Sequence, residues 1–210
     1  MNKNYTEIEL ITLFCSKLCH DLINPISAAL NGCEMLDEDI NDETNLLAES
    51  LVRDSLQRAS AQIAFYRVAF GIIREDNILW DEKKLFKILN SYNDNKKIKL
   101  ELDFDKNTLN ASSVRLILNL YLMSLQLLPR GGNIIITNKN SIFQSSCHGN
   151  NLTINKEIEN LISENINIDE IDINLIQILF TKLIVNQLNR KIFLKEFEDR
   201  KLTVIQIKSL

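Results

Sequence analysis

The sequence predicts an α+β chain, an antiparallel helical hairpin over residues 1–76 followed by an α/β sandwich over residues 77–210. Three observations carry this. Ile8, Ile11, Cys15, Leu18, Leu22, Pro25, Ala29, Gly32 and Leu36 step by three and four, the spacing of one apolar seam on a helix. After the acidic stretch 37–44, Val52, Leu56, Ala59, Ile63, Tyr66 and Phe70 form a second such seam. Beyond 74–77 the periodicity breaks into short mixed elements, one of which, Ile98, Leu100, Leu102 and Phe104, alternates with charged residues as a one-sided strand does.

The first helix is expected from Thr6, an N-cap with Glu9 three residues on, to about Asp39. The second runs from about Asn45 to Ile73, and a short loop between two long helices makes them antiparallel. Leu51, Phe65 and Ala69 flank the second seam, so each stripe is wider than one partner helix covers. Two hairpins from two chains would bury both, which predicts a dimeric four-helix bundle. In the second region Asp81 caps a helix through Asn90, and residues 112–128 form a strongly apolar helix. Pro129 stops that helix and Gly131-Gly132 turn the chain. Strands are expected at 134–137, 141–147 and 152–155, a helix at 172–189, and a closing hairpin from 191–197 and 202–208. The order is that of helices laid on a mixed sheet.

With 210 residues, 45% of them hydrophobic, the chain is long enough for one large or two small cores. A net charge of −4, evenly mixed, gives no electrostatic footprint for nucleic acid. Residues 1–9 lack a signal-peptide pattern and no apolar run reaches the ~20 residues of a membrane span. The expectation is therefore a cytoplasmic protein with no membrane partner. Cys15, Cys19, Cys33 and Cys147 show no disulfide framework, and Cys15 and Cys33 are expected as small core residues. Cys15-x-x-x-Cys19-His20 has one residue too many for a haem motif. With Cys15 on the seam and His20 off it, convergence on a metal is not expected either.

His20, one of two histidines, falls between seam residues Leu18 and Leu22 and so points to solvent. Its neighbours one turn away, Ser16, Lys17, Ile23 and Asn24, are mostly polar. A lone histidine on a polar helix face is usually only a solvated residue. The setting His20-Asp21-Leu22-Ile23-Asn24-Pro25 argues otherwise. The adjacent acid, Asp21, can orient the ring through one nitrogen and leave the other as nucleophile. Pro25, lacking an N–H, deprives the Asp21 carbonyl of its helical partner, a cost that function would explain. The other histidine, His148, lies in Ser-Cys-His-Gly-Asn and reads as a turn residue.

His-Asp-x-x-Asn-Pro resembles the phosphoacceptor box of sensor histidine kinases. Together with residues 31–36 (Asn-Gly-Cys-Glu-Met-Leu), 65–71 (Phe-Tyr-Arg-Val-Ala-Phe-Gly) and 128–132 (Leu-Pro-Arg-Gly-Gly), residues 18–25 more closely resemble the alphaproteobacterial histidine phosphotransferases of the ChpT type. That resemblance implies a homodimer relaying a phosphoryl group through His20 between receiver domains of a hybrid kinase and of response regulators. It implies no cofactor of its own, any Mg²⁺ coming with the receiver. Lys17, Asp21 and Asn24 are the candidate helpers: Lys17 to balance phosphoryl charge, Asp21 to hold the ring, Asn24 to orient a water.

The second region resembles a degenerate kinase ATP-binding domain. Registered on its Pro-x-Gly-Gly turn, residues 115–132 put Met123 where kinases place a Mg²⁺-binding asparagine, with Asn119 one turn earlier. A thioether is a poor ligand for a hard cation. After Gly132 the only glycine is Gly149, too few for a phosphate-cradling loop. ATP binding is not expected. Two other classes fit less well: an active histidine kinase, and a non-catalytic dimeric adaptor for receivers.

Overall fold

The structure, a computed structural model, describes residues 6–38, 41–71, 80–93, 97–105, 109–150, 152, 156–163, 172–197 and 201–209. Two long helices, α1 (Glu7–Asp37) and α2 (Asp42–Ala69), pair as the expected hairpin. Thr6 and Glu9 close a capping box on α1, and the Asn41 side chain accepts the Thr44 N–H to start α2. The helices meet through small residues: Ala29 and Gly32 on α1, Ala48, Ser55 and Ala59 on α2 are all buried. A Cβ on Gly32 would lie 2.7 Å from a Val52 methyl and 3.1 Å from the Ala48 carbonyl oxygen. Close approach of two backbones, not interleaved leucines, sets this interface.

That geometry corrects the seams. Ile8, Ile11 and Cys15 face solvent, as do Leu56 and Ile63. Cys33 is exposed too, so neither Cys15 nor Cys33 is a core residue. Phe65 and Ala69, expected to be free for a second chain, are fully buried in this one.

The rest of the chain supplies what buries them. α3 (Glu82–Asn93) follows its Asp81 cap, and β1 (Ile98–Phe104) leads to α4 (Ala111–Leu127). β2 (Gly132–Lys139) and β3 (Ile142–His148) precede α5 (Lys156–Ser163). A 3₁₀ turn at Ile173–Leu175 opens α6 (Ile176–Gln187), and β4 (Arg190–Phe197) and β5 (Leu202–Ser209) form the closing hairpin. The sheet runs β1-β2-β3-β5-β4, parallel only between β1 and β2. His148 ends β3 rather than sitting in a turn. Residues 153–155, expected as a strand, lie outside the described residues, and Leu152 is buried outside any strand. No described helix is long and apolar enough to cross a membrane.

α4 is apolar on every side and buried nearly all round, from Val114 to Ser124 almost without a break. Ile134, Ile136, Phe143 and Cys147 of the sheet lie in its core cluster, with Ile184 and Val185 of α6, Leu85 and Leu89 of α3, and Phe65, Tyr66 and Ala69 of α2. The base of the hairpin thus shares one core with the sheet. Asn119, wholly buried on α4, ties three elements: its Nδ2 donates to the Ala69 carbonyl (3.0 Å) and the Arg115 carbonyl (2.8 Å), and its Oδ1 accepts from Gln177 of α6 (2.8 Å). Gly131 and Gly132 carry the turn out of α4 with φ of 90° and 150°; a Cβ on Gly131 would sit 2.3 Å from the Lys97 carbonyl oxygen.

Three tyrosines line the junction of hairpin and sheet layer. The rings of Tyr66, Tyr92 and Tyr121 follow one another at 6.0 and 6.4 Å. The Tyr121 hydroxyl donates to Asn93 (2.9 Å), and Asn93 in turn donates to the Ile98 carbonyl (2.8 Å). Burial is the main cause that raises all three hydroxyl pKa values, Tyr92 to about 12. A raised folded-state pKa means the neutral form is favoured by folding. That stabilisation is fully present below the ordinary tyrosine value of ~10 and is lost as pH rises through the folded values. Of the four tyrosines, Tyr5 lies outside the described residues. At pH ~11, tyrosinate absorbance of the folded protein should therefore report no more than one ionised ring per chain, with the remainder appearing together with unfolding at higher pH. Three ionised rings in a still-folded protein would contradict the packing described.

Candidate functional site

His20 lies in the middle of α1, with its side chain 62% exposed. α1 is positioned by aromatic packing two turns earlier. Phe14 stacks on Phe180 of α6 at 4.4 Å and meets Phe70 of α2 edge-on at 4.7 Å. This clamp joins α1, α2 and α6 and presents the next turns of α1 to the base of the hairpin.

Asp21, one residue on, is turned into a largely covered position. Its Oδ1 accepts from the Lys17 ammonium one turn back, and its Oδ2 accepts the Tyr66 hydroxyl from α2 at 2.7 Å. His20 Nδ1 is 3.8 Å from Asp21 Oδ1. That is outside hydrogen-bond distance, so in this arrangement the carboxylate stands beside the ring without bonding it. Lys17 and Asp21 are both largely covered, at 15% and 20% side-chain exposure. An ion pair this covered is better defined than a solvated one, although both partners still touch water. Asn24 lies exposed on the next turn of α1, and Pro25 sits within the helix.

Beneath the pair opens a cleft of about 260 Å³, bounded by Lys17, Asp21, Tyr66, Tyr92, Gln126 and Gln177 among others. Tyr66 is buried and its hydroxyl hydrogen-bonds Tyr92 as well as Asp21. Its pKa is raised, chiefly by burial and then by its neighbours Tyr92 and Asp21, so it remains a proton donor to the carboxylate throughout the neutral range.

Three of the four expected site residues, Lys17, His20 and Asp21, come together, and Asn24 stands apart on the exposed face. Tyr66 and Tyr92 were not legible as site residues. Tyr66 occupies a seam position, and nothing local marks it as the partner of an acid 45 residues away. Met123, at the register of a kinase metal ligand, is a core side chain, and Asn119 spends its amide on the bonds described above. His148 is exposed at a strand end. Among the described residues no three His, Cys, Asp or Glu side chains gather as a metal site. Cys147 is buried beside Ser145, and burial pushes its thiol pKa up, the condition of an inert core cysteine.

Comparison with known proteins agrees with this architecture. The family described as histidine phosphotransferase C-terminal domain matches residues 83–200. The protein phosphotransferase ChpT of Brucella abortus (strain 2308) is 33% identical over 129 residues, 61% of this chain and 60% of that relative, so the match spans less than two thirds of it. A solved bacterial phosphotransferase aligns at a TM-score of 0.82 with 27% identity, over 97% of this chain and 98% of the other. A histidine kinase of Acinetobacter baumannii, AdeS, aligns more loosely, at a TM-score of 0.46 and 14% identity over 90% of this chain and 96% of that one, a likeness that says nothing of activity. With an α+β fold, a helical hairpin before a mixed sheet, and a family match over more than half its length, the chain belongs to the histidine phosphotransferase family.

Proposed function

We propose that this protein is a cytoplasmic histidine phosphotransferase that relays a phosphoryl group through His20 between receiver-domain aspartates. The observation that carries the proposal is an exposed imidazole whose neighbouring carboxylate is anchored from two sides, in a chain of this family. With Nδ1 on the carboxylate side, Nε2 is the nucleophile. Its lone pair attacks the phosphorus of a receiver's aspartyl phosphate. The bond from phosphorus to the aspartyl oxygen breaks, and its electron pair leaves on the receiver carboxylate. The ring keeps its Nδ1 proton, and its new positive charge faces Asp21. A second receiver's carboxylate attacks in the reverse sense. No ATP is consumed. Mg²⁺ comes with the receiver, and Asn24 is available to orient a water if the phosphohistidine hydrolyses. Residues 1–76 act as the dimerisation and phosphotransfer unit, and residues 77–210 as the scaffold that holds it and helps dock receivers.

Replacing His20 by glutamine should remove phosphoryl label while changing stability by no more than ~0.5 kcal/mol, since the side chain stands in water. Asp21→Asn should slow transfer without abolishing it. Wild type should carry acid-labile, base-stable label. Equal labelling of wild type and the glutamine variant would move the acceptor elsewhere and end this reading; receiver binding without any label would favour the adaptor.

The dimer is supported by apolar side chains the single chain leaves in water. They are Ile8, Ile11, Ile23, Ile26 and Leu30 on α1 and Leu46, Leu47, Leu56 and Ile63 on α2. Ile63 is 52% exposed, so Ile63→Asp burdens the monomer little but would bury a charge between chains. Light scattering should give twice the chain mass for wild type, with dissociation at least ~100-fold easier in the variant. A wild-type monomer at micromolar concentration would rule out the bundle.

The buried Met123 and the committed amide of Asn119 support the absence of a nucleotide site. A fluorescent ATP analogue titrated with Mg²⁺ should show no saturable binding in the micromolar range. Saturation there would favour the kinase reading.

A further inference from the structure

We propose that Tyr66 is a positioning residue for the chemistry at His20, acting through Asp21. The inference rests on the phosphotransfer reading and deepens it. A carboxylate on a helix surface ordinarily samples several rotamers, and one anchored at a single oxygen can still swing about that contact. Here the two oxygens have separate partners from separate helices, Lys17 of α1 on Oδ1 and the Tyr66 hydroxyl of α2 on Oδ2. The second anchor fixes the carboxylate plane and keeps Oδ1 3.8 Å from Nδ1, near enough to stabilise a cationic ring and too far to hold a proton in common.

Tyr66 is itself well held. Its ring lies 5.4 Å from Phe70 and 6.0 Å from Tyr92, whose hydroxyl it hydrogen-bonds. Tyr92 stands on α3, and α3 is tied through Asn93 to β1 and α4. The orientation of the Asp21 carboxylate is thereby referred to the sheet layer and not only to the flexible Lys17 chain. The ionisable groups at the cleft are Lys17 and Asp21 from α1, Tyr66 from α2 and Tyr92 from α3; α4 and α6 contribute Gln126 and Gln177, which do not titrate.

Tyr66→Phe removes the hydroxyl and keeps the ring. Two measurements read it in the full chain. The first is the pH midpoint of the His20 imidazole, followed by NMR without any receiver. Losing the donor leaves a more strongly charged carboxylate beside the ring, so the midpoint should rise. The second is single-turnover label transfer from a phosphorylated receiver at varied receiver concentration. The maximal rate constant should fall about tenfold with half-saturation unchanged. An unmoved midpoint together with an unchanged rate overturns the proposal, as does a raised half-saturation with an unchanged maximal rate, which would make Tyr66 a docking residue. If wild type itself takes no label, the phosphotransfer reading fails, and the imidazole midpoint alone then judges Tyr66: a rise supports positioning, no change refutes it. Should Tyr66→Phe not fold, Tyr92→Phe weakens the same hydroxyl from behind. It should move both readouts in the same direction by less, and no movement counts against the proposal.

Discussion

A helix that is apolar all round cannot stop at one neighbour, and α4 is such a helix. Its residues from Val114 to Ser124 are buried almost without interruption. The sheet covers one side, α6 and α3 cover others, and the remaining side is closed by the lower end of α2 through Phe65, Tyr66 and Ala69. Burying side chains of this size is worth roughly 1.5–3 kcal/mol each, so the hairpin base is held by hydrophobic necessity. The polar counterpart is Asn119, which with Arg115 donates to the Ala69 carbonyl, an acceptor at the end of α2 that no further helical turn supplies with a donor.

This constraint places the site. Once the last turns of α2 are drawn against α4, Tyr66 sits with its ring in the core and its hydroxyl at the edge of it, within reach of α1. Phe14 fixes α1 at the same level by packing on Phe70 and Phe180. Asp21 then meets the Tyr66 hydroxyl, and its sequence neighbour His20 is turned outward by the 100° rotation between adjacent helical residues. An exposed imidazole beside a carboxylate held from the interior follows from two consecutive positions on one helix. On the proposed relay, exposure suits a group that meets a large partner, and restraint of its neighbour suits one that meets it in a fixed geometry.

The hairpin, the Thr6 cap of its first helix, the apolar helix expected at 112–128 and the closing strands were legible because each has a local signal: an N-cap box, a 3.6-residue period, alternation, or a Pro-Gly-Gly stop. The Asn41 cap was not, because the acidic stretch 37–44 reads as a turn. α5 was not, since its eight residues sit among asparagine-rich segments and only Ile158 and Leu161 are buried. The structure departs from the seams for a physical reason. Periodicity says that a stripe exists, not which of its members a neighbour covers. The α1–α2 contact selects Gly32, Ala29 and Ala48, whose small size permits close approach, and leaves Ile8, Ile11 and Ile63 outside. His20 was legible from its neighbours on one helix, with Lys17 and Asp21 beside it. Tyr66 was not, because its hydroxyl acquires meaning only when α2 is packed against α1.

Asn119 and Met123 show how the interior positions of α4 are spent. An asparagine side chain has two donors and an oxygen acceptor. In Asn119 both amide donors and the oxygen have internal partners, so its oxygen could meet a cation only by giving up the Gln177 donor it accepts. Met123, one turn on, offers sulfur where a hard cation needs oxygen and contributes its volume to the core instead. Asn119 fastens α2 and α6 to α4. The rigidity so obtained is passed to Tyr66, and through its hydroxyl to the carboxylate beside His20.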